Sequence, residues 1–151
     1  MGKLQKILME DVDRKVLVQE CVQLVDGQVE AAKGPSGMVI RAGFKTFKAF
    51  KPGILAEVMD HLMEPLAGIL DKHNDAFEAD SAAQPQGIVA YMTSRADAVA
   101  DDLMALTDAT VELSGNKTVK KAYQAVCKVG RKNVVAAVPA MAELMKKYLD
   151  R

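Results

Sequence analysis

Glu57, His61 and Glu64 are the residues whose types and spacing most invite a chemical reading. They lie four and three residues apart, so on a helix all three project from one side. An imidazole between two carboxylates is a conceivable two- or three-ligand metal patch. The order is Glu-x3-His-x2-Glu and lacks the second histidine of the His-Glu-x-x-His zinc motif. His73 follows twelve residues later, near the expected end of the same helix, where a histidine also suits the helix dipole. A metal site would need further ligands from other helices. The simpler reading is an exposed acidic helix face that carries a histidine, with no metal and no cofactor.

Other chemistry-bearing residues are equally plain. Asp97 and Asp101 share a helix face, and two carboxylates so placed could take a hard cation or act as an acid–base pair. Isolated like charges at that spacing more often mark a wet surface. Ser36, Ser81, Ser94 and Ser114 fall in no nucleophile motif. The run Gly34-Pro35-Ser36-Gly37 has no phosphate-binding lysine and reads as a turn and cap. Cys21 and Cys127 form no Cys-x-x-Cys pair and read as reduced core thiols. With no export signal recognised, the expected compartment is the cytoplasm. No catalytic motif is found, so the leading reading is non-catalytic.

Charge is a stronger signal. The formal net charge is zero, but residues 34–53 carry +4, residues 54–115 carry −10 and residues 116–132 carry +6. Both basic stretches are free of Asp and Glu. Arg41, Lys45 and Lys48 occupy one arc of the first, beside an arc of Val39, Ile40, Phe44, Phe47 and Phe50. In the second, Lys117, Lys121 and Lys128 line the side opposite Val119, Ala122, Val126 and Val129. These six basic residues are the candidate binding surface. The anionic partner would be an acidic protein, a membrane surface or nucleic acid, and the chain could also form a homodimer. The competing reading pairs the basic faces with Asp97, Asp101 and Asp102 of the same chain, or leaves them solvated. A second function, a small-ligand or metal-binding helical protein or an enzyme built on Glu57, His61 and Glu64, stands as the alternative.

The elements that must position these residues all have the helical period. The spacing predicts an all-α protein of about six helices in one bundle, near 12–32, 36–50, 53–72, 86–113, 117–129 and 133–149, after a short turn over 3–9. Asp11, Ser36, Thr118 and Asn133 are the expected N-caps. Pro65 and Pro139 fall inside helical patterns, where each is expected to kink its helix or shift its start. Nine methionines suit irregular core gaps, or an adaptable binding groove.

An internal duplication of a three-helix unit is also expected. Leu24-x-Asp26-x-x-Val29-Glu30 matches Leu106-x-Asp108-x-x-Val111-Glu112 at a spacing of 82 residues. Each is followed by a glycine-containing break, a basic stretch and an apolar stretch. The chain reads as one domain over 1–151, with pseudo-repeats at about 10–73 and 86–150 joined by an exposed linker at 74–85. The Leu-x-Asp-x-x-Val-Glu pattern, the Gly/Ser break, the lysine- and aromatic-rich helix and Lys51-Pro52-Gly53-Ile54 resemble an uncharacterised family of small all-helical bacterial proteins. That resemblance implies a helical fold and carries no activity or site residue with it.

Overall fold

A computed structural model describes residues 2–150, and among them there are seven α-helices and no strand. The helices are α1 (Lys3–Lys6), α2 (Arg14–Ala31), α3 (Gly34–Phe50), α4 (Ile54–Ala79), α5 (Gly87–Ser94), α6 (Ala96–Glu112) and α7 (Lys117–Leu149). A π-helical turn, Ile7–Asp11, prolongs α1, and a 3₁₀ turn, Gln84–Gln86, precedes α5. The all-α expectation is met, with different boundaries.

The cap of α2 is Asp13, whose carboxylate accepts the Lys15 N–H at 2.9 Å; Asp11 lies in the π-helical turn. Ser36 lies within the first turn of α3 and Asn133 in the interior of α7, so neither is a cap. Asn116, two residues before Thr118, caps α7 by accepting the Val119 N–H at 3.0 Å. The two C-terminal helices expected at 117–129 and 133–149 are one helix of 33 residues. The apolar spacing Val126, Gly130, Val134, Val138 runs through the proposed break without interruption, and Asn133 costs little in a helix interior. The helix expected at 86–113 is instead divided at Arg95, whose backbone leaves the helical region at φ −113° and ψ 23°. There Thr93 and Ser94 donate their hydroxyls to the carbonyls of Val89 and Tyr91, at 2.7 and 2.8 Å, which competes with helix continuation. Pro65 and Pro139 both lie inside continuous helices.

The second half therefore does not repeat the three-helix layout of the first. Where α3 and α4 are separated by Gly53, with φ +74°, the corresponding basic and apolar stretches of the second half are both in α7. Nor is 74–85 an exposed linker throughout. Its first six residues are the last turns of α4, Asn74 is only 1% exposed, and Ala83 is buried.

Residues from α1, α2 and α4 to α7 make one connected apolar core, with Leu4, Met63, Met92, Val99, Val138 and Ala142 essentially inaccessible. Removing each large apolar side chain from water contributes about 1.5–3 kcal/mol. Met59 and Met63 of α4 face Met141 and Met145 of α7 across a cleft of about 80 Å³ that also contains Cys21. It is smaller than the roughly 150 Å³ cavity that admits benzene, so these methionines serve as core filling.

Two polar ties fasten the periphery. Lys147 Nζ lies 2.5 Å from Glu20 Oε2, and the Tyr148 hydroxyl donates to Glu20 Oε1, joining the C-terminal end of α7 to the body of α2. Asp102 of α6 accepts from Lys72 at 2.9 Å and bonds His73 Nε2 at 2.7 Å. The hydrogen bond from Lys72, with a further one from His73, holds the Asp102 carboxyl below its ordinary range against an opposing effect of burial. For Glu20, burial acts upward, but bonds from Lys147 and Tyr148 together outweigh it and the net shift is downward. A carboxylate depressed in the folded state contributes stability above its unfolded pKa of about 4, and this is lost as pH falls through the folded value. Thermal stability should therefore decline as pH drops below about 4. Asp102→Asn should be less stable near neutrality and should lose less on acidification than the parent. An equal acid slope in both proteins, measured by melting at a series of pH values, would show that Asp102 does not contribute to it.

Candidate functional site

α7 divides into three faces along its first half. Ala122 and Val126 meet α3: a Cβ built on Gly43 would stand 2.3 Å from Val126 Cγ2 and 3.5 Å from the Ala122 carbonyl oxygen. The two basic stretches thus cross at a glycine. Tyr123, Cys127 and Arg131 form the second face, toward α6. The Tyr123 hydroxyl donates to Asp108 and lies 2.7 Å from Thr107 Oγ1. Arg131 donates to Asp97 at 3.0 Å and Asp101 at 2.6 Å.

The third face belongs to Lys117, Lys121, Lys128 and Lys132. All four are exposed. At 100° per residue they fall within about 60° of one another, turned away from both packed faces. A rise of 1.5 Å per residue spreads them over about 22 Å. Among the described residues, no carboxylate forms a salt bridge with any of them. Like charges four apart on a helix repel, at a cost of a few tenths of a kcal/mol per pair.

The six basic residues expected to act together are divided by the fold. Lys45, Lys117, Lys121 and Lys128 are exposed and carry no ion pair among the described residues. Lys48 is tied to Asp26 of α2 at 2.9 Å. Arg41 donates through Nη1 to the carbonyl of Ala32, at the end of α2. Lys132 joins the α7 row and is not among the expected six, although its spacing of four from Lys128 signals it. None of the six pairs with Asp97, Asp101 or Asp102 among the described residues; Arg131, outside the six, binds Asp97 and Asp101. Asp102 is occupied by Lys72 and His73.

The residues of the alternative site do not converge. Glu57, His61 and Glu64 are exposed, and Glu57 pairs with Lys51 at 2.6 Å. The apolar cleft lies on the other side of α4, along Met59, Met63, Leu66 and Leu70. His73 is a buried residue of the α4 interior, since α4 continues to Ala79. Among the described residues, no three or more His, Cys, Asp or Glu side chains are grouped to hold a metal ion. Neither cysteine is activated. Burial pushes the Cys21 thiol up to about 11, and burial likewise raises Cys127. Both stay protonated near neutrality, the poorly nucleophilic form. No helix among the described residues is long and apolar enough to cross a membrane.

An all-α protein with an unpaired lysine face is the class that this geometry defines. By sequence the chain belongs to a family of unknown function, DUF6918, whose profile matches residues 4–149. Comparison with curated proteins and with solved structures finds no match.

Proposed function

We propose that this is a non-catalytic binding protein that engages a polyanionic partner through the lysine face of α7. The observation that carries the reading is the row of Lys117, Lys121, Lys128 and Lys132, exposed and in no salt bridge among the described residues. Lys45 of α3 is a further exposed cation without an ion pair among the described residues. A linear array of cations binds a polyanion by releasing its condensed counterions, so affinity falls steeply with salt.

Heparin, a soluble polyanion, is a suitable probe. The protein should be retained on immobilised heparin at low ionic strength and elute with added salt. Replacing Lys117, Lys121, Lys128 and Lys132 together by glutamine preserves helix propensity and should abolish most retention. The slope of log affinity against log salt should drop by roughly three to four. A parent protein that passes unretained at low salt, or a quadruple variant that elutes with the parent, would refute the reading.

A further inference from the structure

We infer that the anionic partner is a lipid surface, entered by the exposed apolar strip of α3. This rests on the polyanion reading above and gives its ligand a chemical identity.

The first observation is what α3 leaves uncovered. Among the described residues five large apolar side chains are exposed, and three of them, Met38 (67%), Val39 (39%) and Phe50 (51%), are on this helix. Placed at 100° per residue relative to Gly43, which faces α7, these three lie with Ala42, Thr46 and Ala49 on one arc of about 120°. Ala42, Thr46 and Ala49 are exposed as well. Lys45, Arg41 and Lys48 follow immediately on the next arc, and all are exposed. The solvent side of α3 is thus itself amphipathic: an apolar strip edged by cations, with no acidic residue from Ala31 to Ala56. That is the pattern of a helix lying in the plane of an anionic bilayer interface.

The second observation is how α3 is attached. No residue of α3 belongs to the main apolar core or packs against it. Its buried side, which includes Ile40, rests on neighbouring helices instead, and Gly43 abuts α7. The helix is bracketed by Gly34 and Gly53, both at φ +74°. Seating the strip on a membrane would leave the core of the protein untouched.

Charge selects lipid over the other occupants. Two copies joined through this strip would bring Lys45 and Arg41 of both chains to one seam, with Lys48 already paired to Asp26, and like charges across an interface oppose association. Nucleic acid or heparin would satisfy the lysines but would leave Met38, Val39 and Phe50 in water. Anionic lipid offers both phosphate and hydrocarbon.

The chain contains no tryptophan, so Phe50→Trp creates a single interfacial reporter at an exposed position. Its emission should shift to the blue with vesicles of phosphatidylcholine mixed with phosphatidylglycerol, and should not shift with phosphatidylcholine alone or with heparin. In the otherwise native chain, Met38→Ser with Phe50→Ser should weaken flotation with the anionic vesicles by about tenfold. The same pair should leave retention on heparin unchanged. Retention on heparin without flotation or blue shift would overturn the lipid inference and leave the polyanion reading standing. A blue shift that depends on protein concentration without vesicles would assign the strip to a second copy of the chain and overturn the inference. Failure to bind either heparin or anionic vesicles would remove both readings.

Discussion

Gly37→Ala should destabilise the protein by about 1–3 kcal/mol, although alanine is the better helix former by about 1 kcal/mol. Gly37 is buried in the first turn of α3, and a Cβ built on it would stand 2.6 Å from both the carbonyl carbon and the carbonyl oxygen of Ala32. Those are backbone atoms, at the turn between α2 and α3, and no rotamer change can move them. The same Ala32 carbonyl receives Arg41 Nη1, so displacing it would also disturb that hydrogen bond. Gly27→Ala is the matched control. Gly27 is exposed within α2, and nothing lies within 4 Å of the point a Cβ would occupy there. That change should stabilise by about 0.5–1 kcal/mol through the unfolded chain. Urea unfolding of both variants decides the matter. If Gly37→Ala proved as stable as Gly27→Ala, the close approach of α2 and α3 would not be tight.

The helical class was legible because apolar residues recur at helical spacing through nearly the whole chain. Helix ends were less legible, for identifiable reasons. Asn133 carries the side chain of a good cap, yet a cap residue stops a helix only if the backbone departs there, and the apolar face from Val126 to Val138 holds it in line. The stripe of α4 runs Met63, Ala67, Leu70, Asn74, Phe77, at steps of four, three, four and three. A polar Asn in the fourth place makes the stripe look finished at Leu70, although Phe77 continues it. The division at Arg95 does have a local signal in Thr93 and Ser94, whose hydroxyls bond back to the helix. Arg95 then folds over the Tyr91 ring, 4.6 Å from its centroid, a contact no spacing rule reveals.

The candidate surface was legible only in part. Acid-free stretches can be counted in the sequence, and they draw attention to the two segments that carry the exposed cations. Which cation pairs with which carboxylate depends on packing between distant segments: Lys48 with Asp26, and Arg131 with Asp97 and Asp101. Neither set of partners is close in sequence. A helical wheel drawn without neighbours puts the phenylalanines of α3 in one stripe. Packing separates them, with Phe44 and Phe47 half-buried and Phe50 exposed.

Asp71→Ala should cost about 2–4 kcal/mol, because it removes a partner that the N-terminal segment cannot replace. Asp71 lies in α4 and is only 5% exposed. Its Oδ1 accepts the Leu4 N–H at 2.9 Å across 67 residues of sequence. That N–H is one of the first amides of α1, which have no intrahelical acceptor. No local cap serves there, since Gly2 has no side chain. A Cβ on Gly2 would stand 1.5 Å from Asp71 Oδ2, so the fit also requires a glycine at position 2. The bond therefore caps α1 and seats Leu4, which is inaccessible, in the core. Its loss leaves a buried amide unpaired and loosens Leu4, and hydrogen bonds to charged groups are among the more costly to remove. Asn74, one turn further along α4, gives the opposite case. Its Nδ2 is buried with no partner, so Asn74→Leu removes an unsatisfied donor and should be neutral or stabilising. Urea unfolding of the two variants should separate them in sign, and limited proteolysis of Asp71→Ala should cut first within residues 2–13. An Asp71→Ala protein within about 0.5 kcal/mol of the parent, with its N-terminus still protected, would mean that α1 is held by Leu4 burial alone.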